Sequence, residues 1–200
     1  MSVEGVRVTM VHPVDEWPVD WIQLLRVECG GAPPRMVSAA EASAETILEN
    51  DPHRVLLLAP VDPEIIPQLL EKAPILVDGA GLGSLLAAYG GQCPVVSTTA
   101  PSEEHYLMHD NVGLWTGFME PLEVASYPAT SPDKNALPSQ LMVTAWNDDG
   151  LVLAVRDRVL PVVGWNFHPL DLPAGVGREM LLAFLEGHYL GSLPSGPPEV

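Results

Sequence analysis

The sequence predicts an α/β protein: a doubly wound, mostly parallel sheet with helices on both faces and a small antiparallel excursion. Three observations predict it. The first half alternates apolar, β-branched runs with amphipathic segments. The runs at residues 54–59 and 73–78 are apolar almost throughout, as strands covered on both faces are. The second half places a hairpin signal, Asn147-Asp148-Asp149-Gly150, between two more strand-like runs.

Each element follows in order. Residues 6–11 form a β-branched run and read as the first strand. Residues 19–29 place Trp21, Leu24, Leu25 and Val27 at helical spacing, and Gly30-Gly31 ends that helix. A short second strand covers 35–37. Ser38, with Glu41 three residues on, fits a capping box that opens a helix to about Glu49, and Asp51-Pro52 breaks it. Strand 54–59 leads to a helix over 63–72, with Pro63 near its first turn and Pro67 an obstacle in its first half. Strand 73–78 runs into the tight turn Gly79-Ala80-Gly81-Leu82-Gly83, then a short helix over 84–89 closed by Gly90-Gly91. That is a βαβαβαβα order. Residues 101–121 read as irregular, 122–127 as a strand and 129–139 as loop. Residues 141–146 and 151–156 are the hairpin strands, 159–167 is one more strand, and 177–190 is a closing amphipathic helix. One domain is expected over 1–191, with a frayed, proline-rich tail over 192–200.

Composition narrows the function. With 200 residues, 47% hydrophobic and 18% charged, the chain can bury a full core, which excludes global disorder. Nine Lys and Arg face 26 Asp and Glu, a net charge of -17. A nucleic-acid groove or an anionic membrane needs clustered cations, so neither is an expected partner. The acidity instead favours a basic protein face. No apolar run reaches about 18 residues, and the start of the chain lacks a signal-peptide pattern, so a cytoplasmic location is expected. Cys29 and Cys93 have no metal-ligand spacing and read as reduced, half-buried thiols. His105 and His109 have the i,i+4 spacing of metal ligands on a helix, but no third ligand is evident, so no metal or cofactor is expected. Trp17, Trp21, Trp115, Trp146 and Trp165 read as core or interface anchors.

Two segments are candidates for chemistry. A strand, a glycine-flanked turn and a helix, as at 73–89, can carry a nucleophile on an elbow, with backbone N–H groups as an oxyanion hole. The glycines do not make a dinucleotide fingerprint, and a phosphate-loop lysine is absent. The second segment is Trp165-Asn166-Phe167-His168-Pro169-Leu170. His168 would end a buried strand at the sheet edge where α/β sites lie.

Through these segments the chain resembles the class I glutamine amidotransferases, above all the glutaminase subunits of anthranilate synthase and aminodeoxychorismate synthase. The similarity runs from about Val6 to Glu186. It is strongest from Leu137-Pro138 through Val143-Thr144-Ala145-Trp146, Asp149-Gly150, Val155-Arg156 and Leu160-Pro161 to Gly164-Trp165-Asn166-Phe167-His168-Pro169. His109-Asp110 and Gly113-Leu114-Trp115 also match a family segment. The resemblance implies the family's flavodoxin-like fold and a chorismate-utilising synthase as partner.

The departures bear on function. Where the family reads Gly-x-Cys-x-Gly-His, this chain reads Gly79-Ala80-Gly81-Leu82-Gly83-Ser84, so Gly81 holds the nucleophile position. Glycine has no atom to form a thioester. His168 is kept, but Leu170 holds the position of the orienting glutamate. The family's glycine-rich oxyanion loop is Pro60-Val61-Asp62-Pro63, and its Tyr-His-Ser aligns with Tyr127-Pro128-Ala129. The segment around Glu104-His105-Tyr106 is shortened relative to the family. Gly81 is expected to relieve backbone strain at the elbow. Ser84, one helical turn on, is a weak substitute nucleophile, and Cys93 is expected in a buried strand. The expected function is a catalytically inactive, glutaminase-like subunit of a chorismate-utilising synthase. The alternatives are new chemistry in the old pocket through His168, and a stand-alone ligand-binding regulator or homo-oligomer.

Overall fold

The computed structural model describes residues 3–94, 105–124, 130–169, 172–173 and 175–189. Among the described residues, nine strands form one sheet in the order β2-β1-β3-β4-β9-β8-β7-β5-β6, numbered along the chain. The parallel part is β1 (Val8–His12), β2 (Arg35–Ser38), β3 (Arg54–Leu57), β4 (Ile75–Asp78) and β9 (Val162–Trp165). The antiparallel part is β5 (His105–His109), β6 (Leu122–Val124), β7 (Leu141–Trp146) and β8 (Val152–Asp157). The doubly wound expectation holds, with four antiparallel strands extending one side of the sheet.

The pleat divides the core in two. Met10, Leu56, Leu76 and Val163 stand in register across four strands and face one side. There they meet Trp21 and Leu25 of α1 (Val19–Glu28) and Met180 and Phe184 of α5 (Val176–Glu186). Val11, Val55, Leu57, Ile75 and Val77 face the other side. They meet Ile47 of α2 (Ala44–Leu48), Ile66 and Leu69 of α3 (Ile65–Leu70), and Leu85 of α4 (Leu82–Ala88). Covering both faces is why β3 and β4 are apolar along their length.

Several expectations are corrected. The helix expected after Ser38 is a 3-10 turn, Ala39–Glu41, followed by α2. Ser38 makes no cap; the capping box is Ser43 with Thr46, whose hydroxyl accepts the Ser43 N–H as a glutamate would. Pro67 is no obstacle, because α3 starts at Ile65 and a first-turn residue has no intrahelical N–H bond to lose. The segment expected to be irregular contains β5 and a 3-10 turn, Gly113–Trp115. His105 and His109 therefore lie on a strand rather than a helix. The strand expected over 159–167 is only Val162–Trp165, and Cys93 lies half-buried outside any strand. The proline-rich tail lies outside the described residues.

Candidate functional site at the sheet edge

The parallel strands end together, and their carboxyl ends carry the site residues expected from the sequence. Asp78, the last residue of β4, pairs in register with Trp165, the last residue of β9. Gly81 and His168 follow three residues after each, so the topology brings them to one edge. Leu170 lies outside the described residues, as does 125–129, which holds Tyr127-Pro128-Ala129.

The turn after β4 is a 3-10 turn, Gly79–Gly81, that runs directly into α4. The strained position is Gly79, with φ 50°, not Gly81. Gly81 sits at φ -69° and ψ -21°, ordinary right-handed helix, so the expected relief of strain at 81 is wrong. The reason for glycine there is space. A Cβ on Gly81 would lie 2.8 Å from the Leu57 carbonyl oxygen, 2.9 Å from Val77 Cγ1 and 3.3 Å from the Ala59 carbonyl oxygen. Two of the three are backbone atoms of the chain leaving β3, which cannot swing aside as a side chain can. Leu82 is fully buried, and Gly83 opens onto free space.

The loop after β3 is committed elsewhere. The Val61 N–H donates to Ser84 Oγ at 3.0 Å, a buried hydrogen bond that ties the loop to α4. Asp62 Oδ1 accepts the Glu64 N–H at 3.0 Å and so starts α3, while Pro60 has no N–H. The Val61 N–H, one of the two backbone donors of this loop, is therefore already bonded. Ser84 is buried in this structural role. Burial pushes the thiols of Cys29 and Cys93 up, so neither is a ready thiolate.

His168 is exposed and packs edge-on against Trp21, with ring centroids 6.4 Å apart. Trp21 in turn stacks on Trp165 at 6.4 Å and 14°. Below them lies a residue the sequence reading missed. Asp78 is 9% exposed, and its Oδ1 accepts the Trp165 indole N–H at 2.7 Å. Burial pushes its carboxyl up to about 7, and hydrogen bonds from Trp165, the Gly79 N–H and Trp21 hold it from rising further. The available signal was an acid ending the apolar run Ile75-Leu76-Val77. Two of the segments that carry the family resemblance hold the sheet together: Asp110 pairs with Arg156 at 2.9 Å, and His109 stacks on Trp115 at 5.1 Å. That pairing joins the β5 end to β8 and lies away from Gly81 in the sheet order.

No family model matches the chain. It is 31% identical over 135 residues to an aminodeoxychorismate synthase of Streptomyces griseus, over 66% of this chain and 18% of that protein. The chain thus spans under a fifth of that relative's length. It is 29% identical to anthranilate synthase component 2 of Pseudomonas aeruginosa, over 76% of this chain and 82% of that one. In fold it is similar to a Thermoplasma acidophilum protein described as a GMP synthase subunit, with TM-score 0.72, 15% identity, and 92% and 94% of the two chains covered. In sequence this chain is a homologue of the glutamine amidotransferase subunits of anthranilate and aminodeoxychorismate synthases, and in fold it is class I glutamine amidotransferase-like.

Proposed function

We propose that this chain is a non-catalytic, glutaminase-like subunit that binds and stabilises or regulates a chorismate-utilising synthase of the anthranilate or aminodeoxychorismate type. The observation that carries the reading is Gly81. The nucleophile position has no side chain and no room for a Cβ beside the Leu57 and Ala59 carbonyls. The bonded Val61 N–H and the leucine at position 170 point the same way. A subunit without chemistry acts through binding energy alone: it stabilises the partner conformation it prefers, by as much as it prefers it.

The test has two arms. The purified chain, alone and with its co-purified partner, is incubated with glutamine, and glutamate release is followed. No release above a boiled control is expected; turnover would refute the reading. In the second arm the chain is isolated from its host and co-purifying proteins are identified by mass spectrometry. A chorismate-type synthase in near-equal amount is expected. A homo-oligomer with no second protein would overturn the subunit role.

A further inference from the structure

We propose a second binding site, at the sheet edge opposite Gly81, that takes a small organic acid with an apolar body. A cavity of about 690 Å³ opens there, between α3, the end of α4 and the turn joining β8 to β9. That volume lies in the range of small-molecule pockets. Its apolar wall is Ile66, Pro67, Leu70, Ala88, Val159 and Leu160. Val159 and Leu160 stand 75% and 42% exposed, apolar surface that an apolar ligand would take out of water.

The turn is built to hold them outward. Asp157 is 3% exposed, and its Oδ1 accepts the N–H groups of Val159 and Leu160 at 2.7 and 2.8 Å. Its Oδ2 accepts the Tyr89 hydroxyl at 2.7 Å. One oxygen of this acid is thus used inside the turn and the other by Tyr89 at the end of α4.

The charge on offer is Arg158, which lines the same cavity. Arg7, Arg35, Arg156 and Arg178 each reach an Asp or Glu. Arg158 reaches none among the described residues; its Nε donates to the Ser139 carbonyl at 2.9 Å. That bond anchors the side chain through Nε, and both terminal nitrogens remain to receive a carboxylate in forked geometry. In a chain of net charge -17, a local cation is what lets an anion settle at all. Glu71, exposed on the same lining, opposes the anion and limits affinity. The site lies at the other end of the strands from Gly81, and it does not depend on the subunit reading.

The test is calorimetric titration of the full chain with octanoate and with 1-octanol, an uncharged analogue. Octanoate is expected to bind saturably and more tightly than octanol. Arg158→Gln should weaken octanoate by about tenfold, the scale of one charge-assisted pair, and leave octanol unchanged. Glu71→Gln should tighten octanoate, and Leu160→Asp should abolish both. All three side chains are at the surface, and thermal melts check that each variant folds. The proposal is overturned by absence of saturable octanoate binding, by octanol binding as tightly, or by an unchanged octanoate affinity in Arg158→Gln.

Discussion

Gly81 and Gly83 lie two residues apart and make opposite predictions. At 81 an added Cβ meets two backbone carbonyls; at 83 it meets nothing. Gly81→Cys should therefore restore no glutaminase activity and should cost about 1–3 kcal/mol of stability, as overpacking does. Gly83→Ala, inside α4, should be neutral or stabilise by up to about 1 kcal/mol. Denaturant unfolding of both variants checks the pair; equal midpoints would refute the steric account of Gly81. Asp78 predicts a pH dependence. Its folded pKa is raised to about 7, so the folded state holds a proton that the unfolded chain has released. Stability from this group is full below about pH 4, falls as pH rises, and levels off above about pH 7, a loss of roughly 4 kcal/mol. Asp78→Asn keeps an acceptor for the Trp165 N–H and removes the proton. Unfolding free energies from pH 4 to 8 should fall in the parent more steeply than in the variant; parallel curves would exclude Asp78 as the cause.

At the scale of elements, the Ser84–Val61 bond couples α4 to the loop that starts α3. Ser84→Ala leaves the buried Val61 N–H without an acceptor, which costs about 1–3 kcal/mol. If Ser84 were instead a catalytic hydroxyl, stability would hardly change. Arg54 is a second such tie. It donates to the Phe184 and Leu185 carbonyls and so satisfies the last turn of α5 from β3.

For the whole molecule, charge dominates. A net charge of -17 repels copies of the chain and attracts a basic surface. Association with the synthase partner proposed above should slow as salt rises from about 50 to 500 mM, where the Debye length shrinks to a few ångströms. An on-rate insensitive to salt in stopped-flow mixing would show that steering plays no part. None of the described helices is long and apolar enough to cross a membrane.

The sequence by itself determined the parallel strands, because hydrophobic period is a local property, while β5 lay hidden in a segment read as irregular. An unbroken apolar run such as Val55-Leu56-Leu57 has to be covered on both faces wherever it lies. It also determined that position 81 carries no nucleophile, since that follows from the residue type alone. Boundaries and caps were less legible: a serine before an acid marked Ser38 as a cap, but only a 3-10 turn follows it, and the capping box forms at Ser43 with Thr46. Tertiary structure alone decided why 81 is glycine. The atoms that exclude its Cβ belong to β4, to the last residue of β3 and to the chain just after it, up to 24 residues away in sequence. The same holds for Asp78, whose raised pKa comes from burial beside Trp165 of β9 and Trp21 of α1, and for the cavity beside Arg158, assembled from segments that meet only when the sheet closes its order. Spacing along a chain reports neighbours within a turn or a strand; desolvation and steric exclusion depend on neighbours across the fold.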